Sequence, residues 1–113
     1  MAVANFILQG AAIDYTPGSD VAAGDVVVQG DLIGIAKRPI PANELGALSI
    51  EGVFDLPKAT GVGTAIAAGA IVYWDVGDSE AKEDSETGAN KQLGKTVAAA
   101  GDNDTTVRVR LSQ

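Results

Sequence analysis

Ala23-Gly24-Asp25-Val26-Val27-Val28 is answered further along the chain by Ala68-Gly69-Ala70-Ile71-Val72-Tyr73. Each is an Ala-Gly turn running into β-branched and aromatic residues, the composition that suits a pleated, half-buried surface. The next segments match as well. Leu32-Ile33-Gly34-Ile35-Ala36 in the first half is echoed by Gln92-Leu93-Gly94-Lys95-Thr96-Val97-Ala98 in the second. An alternating segment then closes each copy, Leu48-Ser49-Ile50-Glu51-Gly52-Val53-Phe54 and Thr106-Val107-Arg108-Val109-Arg110-Leu111. This grammar predicts an all-β fold, a small sandwich or barrel of short strands with an internal two-fold repeat and at most one short helix.

The stretches between these segments agree. Thr16-Pro17-Gly18-Ser19-Asp20 and Gly101-Asp102-Asn103-Asp104 are turn clusters, and Gln29-Gly30-Asp31 suits a hairpin turn. Arg38 to Gly46, with two prolines, is expected to be a loop with one helical turn at Ala42 to Leu45. Thr60 to Gly69 reads as a loop leading into a strand. From Leu48 to Leu56 the alternation is unbroken, so Leu48, Ile50, Gly52, Phe54 and Leu56 are expected on one buried face, with Ser49, Glu51 and Asp55 on the other.

Composition narrows the function. One domain spanning residues 1–113 is the natural reading of 113 residues, and 46% hydrophobic residues suffice for a core. With aromatics at 4% that core is built of Val, Ile, Leu and Ala. A net charge of −7 with eight scattered basic residues does not supply a phosphate-neutralising surface, so no nucleic-acid partner is expected. The same charge argues against an anionic membrane, and no apolar run reaches the roughly 20 residues of a spanning helix. The N-terminus lacks the basic region of a secretory signal. With neither Cys nor His, the chain has no disulfide, no thiolate, no Cys/His zinc ligands and no histidine acid–base pair.

The remaining chemistry is sparse. Gly94-Lys95-Thr96 imitates the end of a phosphate-binding loop, but the first glycine of that motif should stand at Ala89, and Gly88 is one residue too far. No helical pattern comes after it, so the segment reads as a strand. Asp75, Asp78, Glu80, Glu83, Asp84 and Glu86 match no cation-loop spacing and read as a solvated acidic hairpin. No catalytic, cofactor-binding or metal-ligating residues are expected, and no cofactor. Tyr73 and Trp74 must face opposite sides of a strand, which leaves Trp74 either at the edge of the core or against a partner. The apolar, uncharged Asn5-Phe6-Ile7-Leu8 is either a first strand or an arm that adds a strand to a partner's sheet. Asn5, Phe6, Ile7, Leu8 and Trp74 are the candidate partner-binding residues.

Asn5-Phe6-Ile7, Gly30-Asp31-Leu32-Ile33-Gly34-Ile35-Ala36, Glu51-Gly52-Val53-Phe54-Asp55-Leu56-Pro57-Lys58, Val72-Tyr73-Trp74-Asp75 and Val107-Arg108-Val109-Arg110-Leu111 together resemble the capsid cement, or decoration, proteins of tailed phages. The resemblance keeps its order over nearly the whole chain and is weakest over Ser79 to Glu86. It implies a β-rich structural virion protein that is not an enzyme. Its expected place is the outer capsid surface, its partner the phage major capsid protein, and it would be made in the host cytoplasm. Icosahedral symmetry adds the expectation of a homotrimer. Members of this family also carry a recombinase label. The alternative function is therefore a nucleotide- or DNA-binding recombination accessory protein, against which charge and the failed phosphate-loop spacing both count. A carbohydrate-binding module would rest on Tyr73 or Trp74 alone.

Overall fold

The structure, a computed structural model, describes residue 4 and residues 11–112. Nine strands fill it: β1 (Ala12–Tyr15), β2 (Val26–Gln29), β3 (Leu32–Ile35), β4 (Gly46–Ser49), β5 (Gly52–Pro57), β6 (Ile71–Asp75), β7 (Glu80–Lys82), β8 (Lys91–Thr96) and β9 (Thr106–Leu111). The one helical piece among the described residues is a 3-10 turn at Glu86–Gly88. Strands β1–β4–β3–β2 form one antiparallel sheet and β5–β9–β8–β6–β7 a second. The second sheet curls until its two edge strands, β5 and β7, approach each other.

The repetition is one of topology as well as sequence. The order β1-β4-β3-β2 recurs as β5-β9-β8-β6, with β7 added at the edge. The connections repeat too. Val21 bridges Ile40 in the first repeat, and Ile66 bridges Ala100 in the second. Gly24 N–H donates to Ala36 O at 2.6 Å, and Gly69 N–H donates to Thr96 O at 2.9 Å. Registers agree strand by strand: Val26 opposes Ile35 as Ile71 opposes Lys95, and Ile35 opposes Ser49 as Lys95 opposes Arg110. The repeating unit is therefore four strands long, one more than the sequence grammar displays.

Each repeat closes its own apolar cluster. In the first, Ala36, Ile40 and Leu48 are buried, with Ile13, Tyr15, Val21 and Val27 half-buried against them. In the second, Leu56, Ile66, Val72, Trp74, Leu93, Val107, Val109 and Leu111 are buried. Ile33, Ile35, Val26 and Val28 of the first repeat join this second cluster. Residues at i and i+2 share a face, so Val26 and Val28 point to the second repeat while Val27 points into the first. The two repeats thus pack head to tail.

Two expectations need correction. The alternation from Leu48 to Leu56 is not one strand. It belongs to β4 and β5, which lie in different sheets. Gly52 makes the break, adopting φ +120° at the start of β5, a backbone state open to glycine and strained for other residues. Leu48 consequently packs in the first cluster and Leu56 in the second, while Phe54 is only half-buried. The helical turn expected at Ala42 to Leu45 is instead a β-turn. Glu44 N–H donates to Pro41 O at 3.1 Å, with Asn43 at φ +65°.

Candidate interaction surfaces

Strand registers place Val53, Arg110, Lys95 and Ile71 in one row across β5, β9, β8 and β6. Directly opposed residues of an antiparallel pair share a face, and here the face is open: Val53 is 54% and Ile71 44% exposed, and Lys95 and Arg110 are exposed as well. A second row carries Asp55 opposite Arg108, joined by hydrogen bonds of 2.9 and 3.2 Å. The Arg108 guanidinium holds the Asp55 carboxyl below the usual carboxylate range. Lys95 and Arg110 have no such counter-ion among the described residues. Two like charges facing each other across strands repel, so this row is electrostatically unfinished in the isolated chain.

The other bases are mostly accounted for. Lys91 pairs with Asp31 at 2.9 Å, tying β8 to the β2–β3 turn. Lys58 is buried in the loops beyond β5, where its Nζ donates to Ala59 O (2.7 Å), Gly101 O (2.9 Å) and Asp104 O (3.2 Å). Lys82 Nζ holds Asp75 at 2.9 Å and Asp78 at 2.5 Å. Lys37 and Arg38 are exposed beside a groove of about 780 Å³ along β1 and β4, which Asp14, Ile40 and Leu45 also line. Apolar side chains stand out at two loop tips, Leu45 at 71% and Val62 at 101% exposure.

The acidic segment is a second-repeat insertion. Between β2 and β3 the chain needs only Gly30-Asp31, whereas β6 and β8 are separated by β7 and the 3-10 turn. Two of its carboxylates converge on Lys82, and no cluster of three acidic side chains suited to a metal ion occurs among the described residues. The Lys82 hydrogen bond is the main cause that lowers the Asp75 pKa, with Asp78 N–H adding to it. The Asp78 and Asp75 carboxylates in turn raise Lys82.

These shifts predict how stability depends on pH. The depressed Asp75 contributes fully above its unfolded pKa near 3.9 and loses that contribution as pH falls through its folded value. The raised Lys82 contributes fully below about 10.4 and loses it as pH rises through its folded value. The chain has no histidine or cysteine, the side chains whose ordinary pKa values lie nearest neutrality. The thermal midpoint is expected to be flat from about pH 5 to 9. Asp75→Asn should lower it by a constant amount across that range, with the deficit shrinking below about pH 4. A deficit that persists undiminished in strong acid would place the effect of Asp75 elsewhere than its charge.

The Gly94-Lys95-Thr96 segment is the end of β8, as its sequence context indicates. Thr96 is buried, its Oγ1 donating to Ala67 O and accepting from Ala70 N–H, so it cannot serve a phosphate-bound cation. Trp74 is 7% exposed and sits in the second cluster, with half-buried Tyr73 on the opposite side of β6. The indole therefore has little surface to offer a partner. Asn5, Phe6, Ile7 and Leu8 lie outside the described residues. Asp104 Oδ2 closes its own turn by accepting from Gly101 N–H, whereas Asp102 Oδ1 accepts from Thr64 and Ala65 N–H of the loop after β5. Sequence reading missed the Lys95–Arg110 row, although the polar face of β9 was visible. It also missed Lys58, whose burial no periodicity signals. No helix among the described residues is long and apolar enough to cross a membrane.

A family model described as phage cement protein matches residues 7–111. No curated protein and no solved structure matches the chain.

Proposed function

Because the chain belongs to the phage cement protein family, we propose that it binds the outer surface of an assembled phage shell and holds neighbouring capsomers together. On this reading residues 1–113 act as one decoration domain, made in the host cytoplasm. The partner is the phage major capsid protein. A homotrimer suits the threefold and quasi-threefold positions of an icosahedral lattice. The family match over residues 7–111 carries the proposal. Exposed Leu45 and Val62 support it, since apolar loop tips on a rigid β scaffold are contact material. Each contact is modest, and several made at once gain through effective concentration.

Two places compete for the contact: the apolar stretch Asn5-Phe6-Ile7-Leu8 and the loop tips at Leu45 and Val62. Co-sedimentation with undecorated shells separates them. A chain lacking residues 2–8 is expected to stay folded with an unchanged thermal midpoint yet fail to co-sediment. Should it bind normally, Leu45→Asp and Val62→Asp should abolish binding instead. Full binding by all three variants would remove both contacts, and a wild-type chain that never co-sediments with the shell would sink the function itself.

A further inference from the structure

The two repeats pack head to tail, and each leaves one side of that arrangement unused. On the first repeat Ile35 and Val26, the half of the outer row Ala12–Ser49–Ile35–Val26 that lies on β3 and β2, meet the second repeat, with Ile35 only 2% exposed. The equivalent row on the second repeat is Val53–Arg110–Lys95–Ile71, and it is open to solvent. Conversely, the apolar cluster of the second repeat is covered by the outer face of the first. The equivalent cluster of the first repeat leaves Ile13, Tyr15, Val21 and Val27 half-buried, with no third repeat to cover them. Among the described residues the chain therefore presents an exposed outer face at one end and a half-open cluster at the other.

We infer that a second copy of this chain completes both: the first repeat of one copy docks on the outer face of the second repeat of another, using the geometry already present inside the chain. The charges fit this occupant. Within the chain, Ile35 lines the inter-repeat crevice beside Asp55 and Leu56. The positions equivalent to Ile35, Asp55 and Leu56 are Lys95, Asp14 and Tyr15. Docking in the same manner brings Lys95 of one copy to Asp14 of the next. Asp55 is held by Arg108 across the strand, whereas Asp14 faces Ala47 and makes no ion pair among the described residues. The unpaired base and the unpaired acid thus supply each other's counter-ion, and the repulsion between Lys95 and Arg110 is relieved. Burial of Ile71 against the half-open cluster adds an apolar contribution.

Such a contact joins two different patches, so it is heterologous and propagates head to tail, closing into a ring where the rotation permits. It stands whether or not the chain binds a shell, because it is read in solution. Two measurements test it. Light scattering coupled to size exclusion should give a mass that is a multiple of 11.4 kDa. Lys95→Asp and Asp14→Lys, both at exposed positions, should each weaken association about tenfold or more, and the double exchange Lys95→Asp/Asp14→Lys should restore it. Secondly, Pro57 and Val26 line one inter-repeat crevice, and their equivalents are Thr16 and Ile71. The chain has no cysteine, so mixing Thr16→Cys with Ile71→Cys should give an oxidised cross-linked pair, while either variant alone should give far less. A wild-type mass of 11.4 kDa even in concentrated solution overturns the inference. So does a same-site Ile71→Cys cross-link stronger than the mixed one, which would mean a twofold, isologous contact. A ring that forms but ignores phage shells would leave this contact standing and remove the proposed function alone.

Discussion

Gly94→Ala is expected to unfold the protein or to lower its thermal midpoint by at least about 15 °C, on a scale of roughly 4 °C per kcal/mol for a domain of this size. Gly94 lies in β8 with φ +157°, and a Cβ built there would stand 2.0 Å from Arg110 O and 2.7 Å from Ser112 N. Both obstacles are backbone of the neighbouring segment, held where they are by the β8–β9 ladder. No side chain can rotate to make room. The methyl fits only if β8 and β9 separate, which would disturb the buried Leu93 and Leu111 beside them. Strain and overpacking together cost about 4 kcal/mol or more. Gly34, at the equivalent position in the first repeat, is the internal control. Its added Cβ would meet Leu48 Cβ at 2.7 Å; that atom cannot rotate away, but the approach is longer than the 2.0 Å to a backbone oxygen at Gly94. Gly34→Ala should therefore destabilise less than Gly94→Ala in the same urea titration. Equal losses would show that both obstacles yield alike and would refute the rigidity assigned to the β8–β9 backbone.

Lys58→Met should rank next, at about 3 kcal/mol, because hydrogen bonds to a charged group are each worth about 1.5–3 kcal/mol and buried acceptors left without a donor are costly. The Lys58 ammonium bridges the loop after β5 to the turn before β9 through Ala59 O, Gly101 O and Asp104 O. The surrounding hydrogen bonds belong to the same joint: Thr64 Oγ1 donates to Gly61 O and Asp102 O, and Asp102 Oδ1 accepts from Thr64 and Ala65 N–H. Methionine keeps most of the length and removes the three hydrogen bonds of the ammonium together with a longer fourth, 3.4 Å to Thr64 Oγ1. Hydrogen exchange should quicken first in residues 59–65 and 100–105, ahead of the strands. Lys95→Met, at an exposed position, should change the midpoint little when both proteins are melted at concentrations low enough that neither associates. If the two lysine variants melt together, Lys58 is not the latch.

Much of the fold was legible because strands announce themselves locally. Alternating side chains and turn residues mark β2, β3, β6, β8 and β9 without reference to any partner, and so does the two-residue turn at Gly30-Asp31. The same reasoning places Gly94-Lys95-Thr96 in a strand, and a missing glycine at Ala89 was enough to set the phosphate loop aside. The doubling of the chain was visible too, since equivalent strands need equivalent residues on their buried faces.

Absence of histidine and cysteine, a net charge of −7, an all-β architecture and the repeat are thus properties of the sequence by itself. Tertiary structure decided the rest. Period-two alternation runs through Gly52 undisturbed, because it records which side a residue faces and not the sign of φ. Only the fold shows that the chain changes sheets there. A lysine after Pro57 looks like any surface lysine until two loops separated by some forty residues close their carbonyls around it. Lys95 and Arg110 are ordinary in sequence, and become a facing pair only through the β8–β9 register. In each case the deciding quantity is a long-range neighbour, set by backbone hydrogen bonding between distant segments, and no local pattern of side chains encodes it.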